Sequence, residues 1–321
     1  MTDVAKRLAE LSPDKRALLE RLLADQVTPP AAGAEATRAR GAAGASEAES
    51  LVLDAASPRT GDEVKVSYMR FYDTVTAQLN ATIFGPFSFF LNYGFVGGGD
   101  REEAVVELPP HYINRNSAKL VLELIGDCAL TGRRVLDVGC GRGGTVHILL
   151  NFFQPAAVTG LDLSSNAIAF CRATHRDPRA RFFEGDAESL PFEEAAFDVV
   201  TNVESSHSYP NLHRFYAEVY RVLAPGGGFL YTDALAVPQL VTAVGFLRHI
   251  GFTIERDRDI TADVLRSCDE IARTRMQAFD GRNDQGLMQN FLGAPGSEVY
   301  ENMRSGRWTY RILTLRKPGP R

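Results

Sequence analysis

Long apolar runs are missing from this 321-residue sequence. No stretch approaches the roughly 18 consecutive apolar residues that a membrane-spanning helix needs. A basic excess is missing too: 35 Lys and Arg against 40 Asp and Glu leave a formal charge of −5 and a pI of about 5.8. Without a positive stripe or field, the chain is a poor match for a DNA or RNA binder. Cysteine is scarce. Cys128, Cys140, Cys171 and Cys268 are far apart, with no CxxC and no nearby His pair. They fit neither a zinc site nor a secreted disulfide framework, which points to a reducing, cytoplasmic setting. The opening MTDVAKRLAELSPDKR is charged throughout and lacks the apolar run of a signal peptide.

What is present reads as ordinary globular protein: 45% hydrophobic and 23% charged residues. At about 150 residues per domain the length suggests two domains, and a core can form without disulfide or metal staples. Residues 1–26 carry helix signals. Val4, Leu8 and Leu11 recur at helical spacing, and Ser12-Pro13 reads as an N-cap before Leu18, Leu19, Leu22 and Leu23. This arm has an apolar face it cannot bury alone, so it should dock on its own domain or on another protein. Residues 27–60 are alanine- and glycine-rich, with no aromatic between Val27 and Ser50. Such a segment has too little apolar surface to offset its ordering entropy and reads as a flexible linker.

From about Val64 the texture turns aromatic and helical. Tyr68, Phe71, Tyr72 and Val75 lie along one stripe, and Asn92-Tyr93-Gly94 marks irregular backbone. A further helix is expected over residues 113–128, so residues 61–130 form a helical lid. From residue 131 to 321 short apolar runs then alternate with helical segments. RRVLDVGC, AAVTGLDL, ARFFEGDA, FDVVTNVES, GGFLYTDAL, FTIERDRDI and WTYRILTLRKP read as seven strands. This alternation predicts an α/β fold: a doubly wound, Rossmann-like sheet with helices on both faces. The last two strands lack a matched crossover, which predicts an antiparallel edge strand after a helical insertion near 261–292.

The strongest motif is VLDVGCGRGG, Val135 to Gly144, in which Gly139, Gly141 and Gly144 satisfy G-x-G-x-x-G between a strand and a helix. Glycines there permit the tight reversal and let a ligand approach the backbone. The pattern alone also fits a dinucleotide site. Asp137, however, sits two residues before the first glycine, where it would repel a pyrophosphate and suit a cation. Asp162 lies 23 residues beyond Gly139, placed to take both hydroxyls of a ribose, and Asp186 follows the next strand, placed to accept from an adenine amino group beside Ala187.

Together VLDVGCGRGG, VTGLDLS, GDAESLPFEEAAFDVV and RVLAPGGGFLYTD resemble, in order and spacing, class I S-adenosylmethionine-dependent methyltransferases. The resemblance covers roughly residues 65–321. It implies S-adenosylmethionine as cofactor and S-adenosylhomocysteine as product. It implies a ribose contact at Asp162 and Leu163, an adenine contact at Asp186 and Ala187, and a glycine loop near the methionine portion. Asn202 joins that site, and Tyr68, Tyr72, Asn92, Tyr93 and Gly94 would cover the cofactor.

NVESSHSYP follows the fourth strand on the side where the methyl group would point. Methyl transfer relies on positioning, but an aliphatic hydroxyl also gains from a base. His207 suits that role near pH 7, with Glu204 as the acid that holds its ring; His207 as a simple loop cap is the alternative. Asp233 ends a strand nearby, with no following Asp-Asn pair for a metal. The element is similar to phthiotriol/phenolphthiocerol dimycocerosate methyltransferases and to the O-methyltransferase domains of polyketide synthases. LAELSPDKRALLERLL resembles linker helices of such synthases, which implies synthase modules as partners and a substrate on an acyl carrier protein. The expected reaction is O-methylation of a polyketide-type intermediate. Methylation on carbon, a free-standing enzyme for a released lipid or macrolide, and an inactive cofactor-binding protein are the alternatives. His111, His147, His213 and His249 read as packing, solvated or capping residues.

Overall fold

The computed structural model describes residues 60–81, 85–98, 106–109, 112–278, 289 and 291–319. The N-terminal arm 1–26, all of the linker but Thr60, and His111 therefore lie outside the described residues.

Seven strands form one sheet: β1 (Arg134–Val138), β2 (Ala157–Asp162), β3 (Ala180–Glu184), β4 (Phe197–Val203), β5 (Leu223–Ala236), β6 (Thr253–Asp259) and β7 (Trp308–Arg316). Their order is β3-β2-β1-β4-β5-β7-β6. The first five run parallel. The antiparallel part lies at the edge, as the missing crossover predicts: β7 pairs antiparallel with β5 from Gly228↔Arg316 to Ala236↔Trp308, and with β6 on its other side. β1 has neighbours on both sides. The chain winds outward to β3 in one direction and through β4 in the other, so a crevice opens at the carboxyl ends of β1 and β4.

The described helices are α1 (Gly61–Asn80), α2 (Arg115–Ile125), α3 (Gly144–Phe152), α4 (Ser165–Thr174), α5 (Leu212–Val222), α6 (Val237–His249), α7 (Thr261–Ala278) and α8 (Glu298–Arg304). Period-2 alternation in the strands serves two cores. Val135 of β1, Leu230 of β5 and Ile312 of β7 pack with α2, α3 and α7. Leu136, Phe229 and Leu313 face the other way, towards α5 and α6. In α2, Leu120, Val121 and Leu124 are fully buried. At about 1.5–3 kcal/mol for each such side chain, a helix of this length holds in place by packing.

Local signals set the ends of the helices that frame the crevice. Thr60 and Glu63 form a reciprocal capping box at the start of α1. Ser164 caps α4, its Oγ accepting from Ala167 N at 3.0 Å. No described helix is long and apolar enough to cross a membrane.

Candidate active site

A cleft enclosing about 1180 Å³, its solvent-open mouth included, lies at the carboxyl ends of the strands, between the sheet and α1. Its floor contains the turn after β1. Gly139 there has φ +70°, a region L side chains rarely adopt, and a Cβ would lie 2.2 Å from Ser205 Oγ and 2.6 Å from the Tyr209 hydroxyl. Asn202 braces that turn from below, donating through Nδ2 to Val138 O at 2.9 Å and Ser205 Oγ at 2.7 Å. None of Asp137, Gly141 and Asn202 lines the cavity: Asp137 is buried in β1, behind the Gly139 turn. Gly141 N instead donates to Asp162 Oδ2 at 2.8 Å, and a Gly141 Cβ would lie 3.2 Å from Leu91. At Gly144 a Cβ would lie 2.5 Å from the Phe90 ring and 2.9 Å from Phe89 O. Two of the three glycines are thus small so that the chain at 89–91 can lie against them.

The carboxylates expected at the strand ends are brought together. Asp137 is buried in β1; its Oδ1 accepts from Thr201 Oγ1 at 2.7 Å. Its Oδ2 has no hydrogen-bond partner among the described residues. Burial pushes this carboxyl up to about 7, with the Thr201 hydroxyl opposing. Asp162 lines the cavity at the end of β2, and burial raises it too, against the amides of Ser164 and Gly141. Asp186 lies on the cavity wall beside Leu163 and Ala187. Its Oδ2 pairs with Lys65 Nζ of α1 at 2.8 Å, and Lys65 also pairs with Glu188 at 2.7 Å. The Thr145 hydroxyl also bears on the Asp137 carboxyl and holds it down against burial. Glycine-lined backbone and two further acids suit a positively charged nucleoside-type group. The residues present fit S-adenosylmethionine.

α1 roofs the cavity with Lys65, Tyr68, Met69, Tyr72 and Thr76, which recur at helical spacing. Asn92 and Tyr93 line it as well. Gly94 does not; its open side is closed by Ser267 and Asn116.

The expected pairing of Glu204 with His207 is absent. His207 Nδ1 lies 2.9 Å from Asp233 Oδ1, at the end of β5. Asp233 is 1% exposed and also accepts from Ser206 Oγ at 2.6 Å, His207 N at 3.0 Å and Ala234 N at 2.8 Å. With Nδ1 donating to the carboxylate, Nε2 is the acceptor nitrogen, 3.5 Å from the Tyr72 hydroxyl on the cavity side. Burial alone would lower the His207 pKa; the Asp233 charge and hydrogen bond outweigh it and hold it above the ordinary value. Glu204 points elsewhere. Its carboxylate accepts from Tyr93 N at 2.8 and 3.1 Å and from the Tyr310 hydroxyl. The reason is backbone geometry: Glu204 has φ +47°, uncommon for a residue with a side chain, which turns it away from the helical turn holding His207. Burial pushes the Glu204 carboxyl up to about 7, against the Tyr310 hydrogen bond.

Sequence reasoning weighed Asp233 only as a metal ligand and passed over Lys65 and Arg142. Asp233 had a readable signal, an acid at the carboxyl end of a strand beside the acid-bearing strands. His213 stacks on Phe246 at 4.1 Å and His147 packs 4.8 Å from Phe89, so both serve packing.

Residues 136–231 match the family described as a methyltransferase domain. Over 243 residues the chain is 37% identical to the fatty-acid O-methyltransferase of Mycolicibacterium smegmatis, covering 71% of this chain and 83% of that protein. It is 34% identical over 229 residues to the phthiotriol/phenolphthiotriol dimycocerosates methyltransferase of Mycobacterium tuberculosis, covering 70% of this chain and 85% of the relative. Among solved structures, the [4+2]-cyclase SpnF aligns with a TM-score of 0.63 at 23% identity, over 80% of this chain and 97% of that one. The geranyl diphosphate C-methyltransferase of Streptomyces coelicolor aligns at 0.58 and 18% identity, over 81% of this chain and 100% of that one. These structures share the fold. The chain belongs to the S-adenosylmethionine-dependent methyltransferases, and S-adenosylmethionine is its cofactor.

Proposed function

We propose that this enzyme methylates a hydroxyl group of a lipid- or polyketide-type intermediate, with His207 as general base and Asp233 as the acid that orients it. The observation that carries this reading is the 2.9 Å contact between His207 Nδ1 and Asp233 Oδ1, which leaves Nε2 as acceptor towards the cavity. Bound S-adenosylmethionine supplies an electrophilic methyl group on a cationic sulfur. The turn at Gly139, with Asp137 behind it, would hold its methionine end, Asp162 and Leu163 its ribose, and Asp186 and Ala187 its adenine. Tyr68, Tyr72, Asn92 and Tyr93 would cover it. As the hydroxyl oxygen takes the methyl group and the carbon–sulfur bond breaks, its electron pair left on the departing neutral thioether, His207 Nε2 takes the hydroxyl proton, and Asp233 stabilises the resulting imidazolium.

A base supports an alcohol as acceptor in preference to a carboxylic acid, since a carboxylate is already ionised and needs no proton removed. The Asp233 charge beside His207 would also repel a carboxylate. Both curated relatives are named for lipid-type acceptors, a fatty acid in one and phthiotriol dimycocerosates in the other. The likeness of residues 1–26 to synthase linker helices supports a substrate held on an acyl carrier protein. Incubation with a methyl-labelled cofactor, a secondary alcohol on a carrier and its free counterpart tests the whole reading. Label on oxygen, with the carrier form preferred, is expected. Label on carbon overturns the hydroxyl assignment, and equal rates with free alcohol overturn the carrier.

A further inference from the structure

Arg142, inside the glycine loop, is the largest fully buried side chain of the described residues, at 0% exposure. It has no carboxylate partner among them. Burial lowers its pKa to about 10. Its guanidinium is held instead by four oxygens from one stretch of chain at the end of α1 and just beyond. Nε donates to Ser88 O at 2.6 Å, Nη1 to Asn80 Oδ1 at 2.9 Å and Thr76 O at 3.4 Å, and Nη2 to Gly85 O at 2.8 Å. Its flat face lies 3.5 Å from the centre of the Phe170 ring of α4. A buried cation is costly without compensation, and here backbone and amide dipoles near the negative end of α1 supply it.

That stretch of chain runs directly into residues 89–93, which line the cavity and lie against Gly141 and Gly144. On the other side, Gly141, next to Arg142, donates to Asp162 at the cavity floor. One side chain therefore joins the loop under the cofactor to the segment over it.

We propose that Arg142 is a positioning residue that couples cofactor occupancy of the glycine loop to ordering of the covering segment 85–93. A planar guanidinium with a fixed fork of donors can span four acceptors on one strap; an ammonium or a thioether cannot. When the cofactor settles the loop, the fork settles the strap, and the cavity closes over both. This inference rests on the cofactor alone and is independent of the methyl acceptor.

The test is hydrogen–deuterium exchange on the full chain, with and without saturating S-adenosylhomocysteine, in wild type, Arg142→Met and Asn80→Ala. In the wild type the ligand should slow exchange in segment 85–93 by about tenfold or more. Arg142→Met should abolish that slowing while ligand-dependent exchange in β4 stays as in the wild type, and should weaken S-adenosylhomocysteine binding about ten- to hundredfold. Asn80→Ala removes one acceptor at an exposed position; it should reduce the slowing in part and decides the matter if Arg142→Met does not fold. Three results overturn the proposal: no ligand-dependent slowing of 85–93 in the wild type, full slowing retained in the variants, or an equal loss in 85–93 and β4. The last would mark Arg142 as a general packing residue.

Discussion

His207 Nδ1 and Asp233 Oδ1 stand 2.9 Å apart although 26 residues separate them in the chain. The short helical turn after β4 carries one, and the end of the neighbouring strand β5 carries the other. The register Val203↔Thr232 brings those two ends level, so the pairing follows from the sheet. Asp233 accepts four hydrogen bonds and cannot swing away from the ring.

His207→Ala should leave cofactor binding intact and lower turnover by about 10²–10⁴-fold, the usual contribution of a general base. Calorimetry with S-adenosylhomocysteine and a methyl-transfer assay on an alcohol acceptor separate the two effects. Near-normal turnover would remove His207 as base.

Asp233→Asn tests the orienting acid through pH. His207 accepts a proton only when neutral, so activity should rise with pH through its pKa, which lies above the ordinary 6.5. Removing the Asp233 charge leaves burial dominant, and burial disfavours the imidazolium. The acidic limb of kcat against pH should therefore move to lower pH while kcat itself falls. A limb that stays in place would sink the assignment.

Glu204→Gln should behave differently. The His207–Asp233 contact survives, so the pH limb should move little. The Tyr93 amide loses its carboxylate, and KM for the cofactor should rise by about tenfold, in the range of one hydrogen bond to a charged group. A loss of kcat as large as that of His207→Ala would return Glu204 to the proton-transfer machinery.

In the proposed role beneath the Gly139 turn, Asp137 should make cofactor affinity pH-dependent. Its carboxyl, raised to about 7, is largely protonated below that pH, whereas a bound cation favours the carboxylate. Affinity should fall by up to about tenfold per pH unit below 7, with proton release on binding, and Asp137→Asn should flatten the slope. Without ligand the sign reverses. A carboxyl whose folded pKa is raised loses stability as pH rises from about 4 to about 7, so Asp137→Asn should be relatively more stable at the upper end. Calorimetry in buffers of different ionisation enthalpy and urea melts across that range check both.

Gly144→Ala should destabilise by about 1–3 kcal/mol in urea unfolding, because the added methyl meets Phe89 O and the Phe90 ring and the backbone must shift. A stable variant with weakened cofactor binding alone would mean that the ligand, not the covering segment, needs the glycine.

Local pattern carried a good deal of this protein. Alternating short apolar runs and helical stretches set all seven strands, since period 2 and period 3.6 are properties of neighbouring residues. The turn at Gly139 was legible for the same reason, as were Asp137, Asp162 and Asp186, each at or just after a strand end. Which acid meets His207 was not legible. Glu204 is three residues away and Asp233 twenty-six, and proximity along the chain favours the wrong one. Backbone φ at Glu204 and the β4–β5 register decided it, and both depend on how the whole sheet packs. Arg142 is the same lesson in reverse. Within GCGRGG an arginine reads as one more exposed residue of a ligand loop. Its burial exists only because α1 and the chain after it fold back over the loop and surround the guanidinium with carbonyl oxygens, a contact between segments about 60 residues apart that no local pattern encodes.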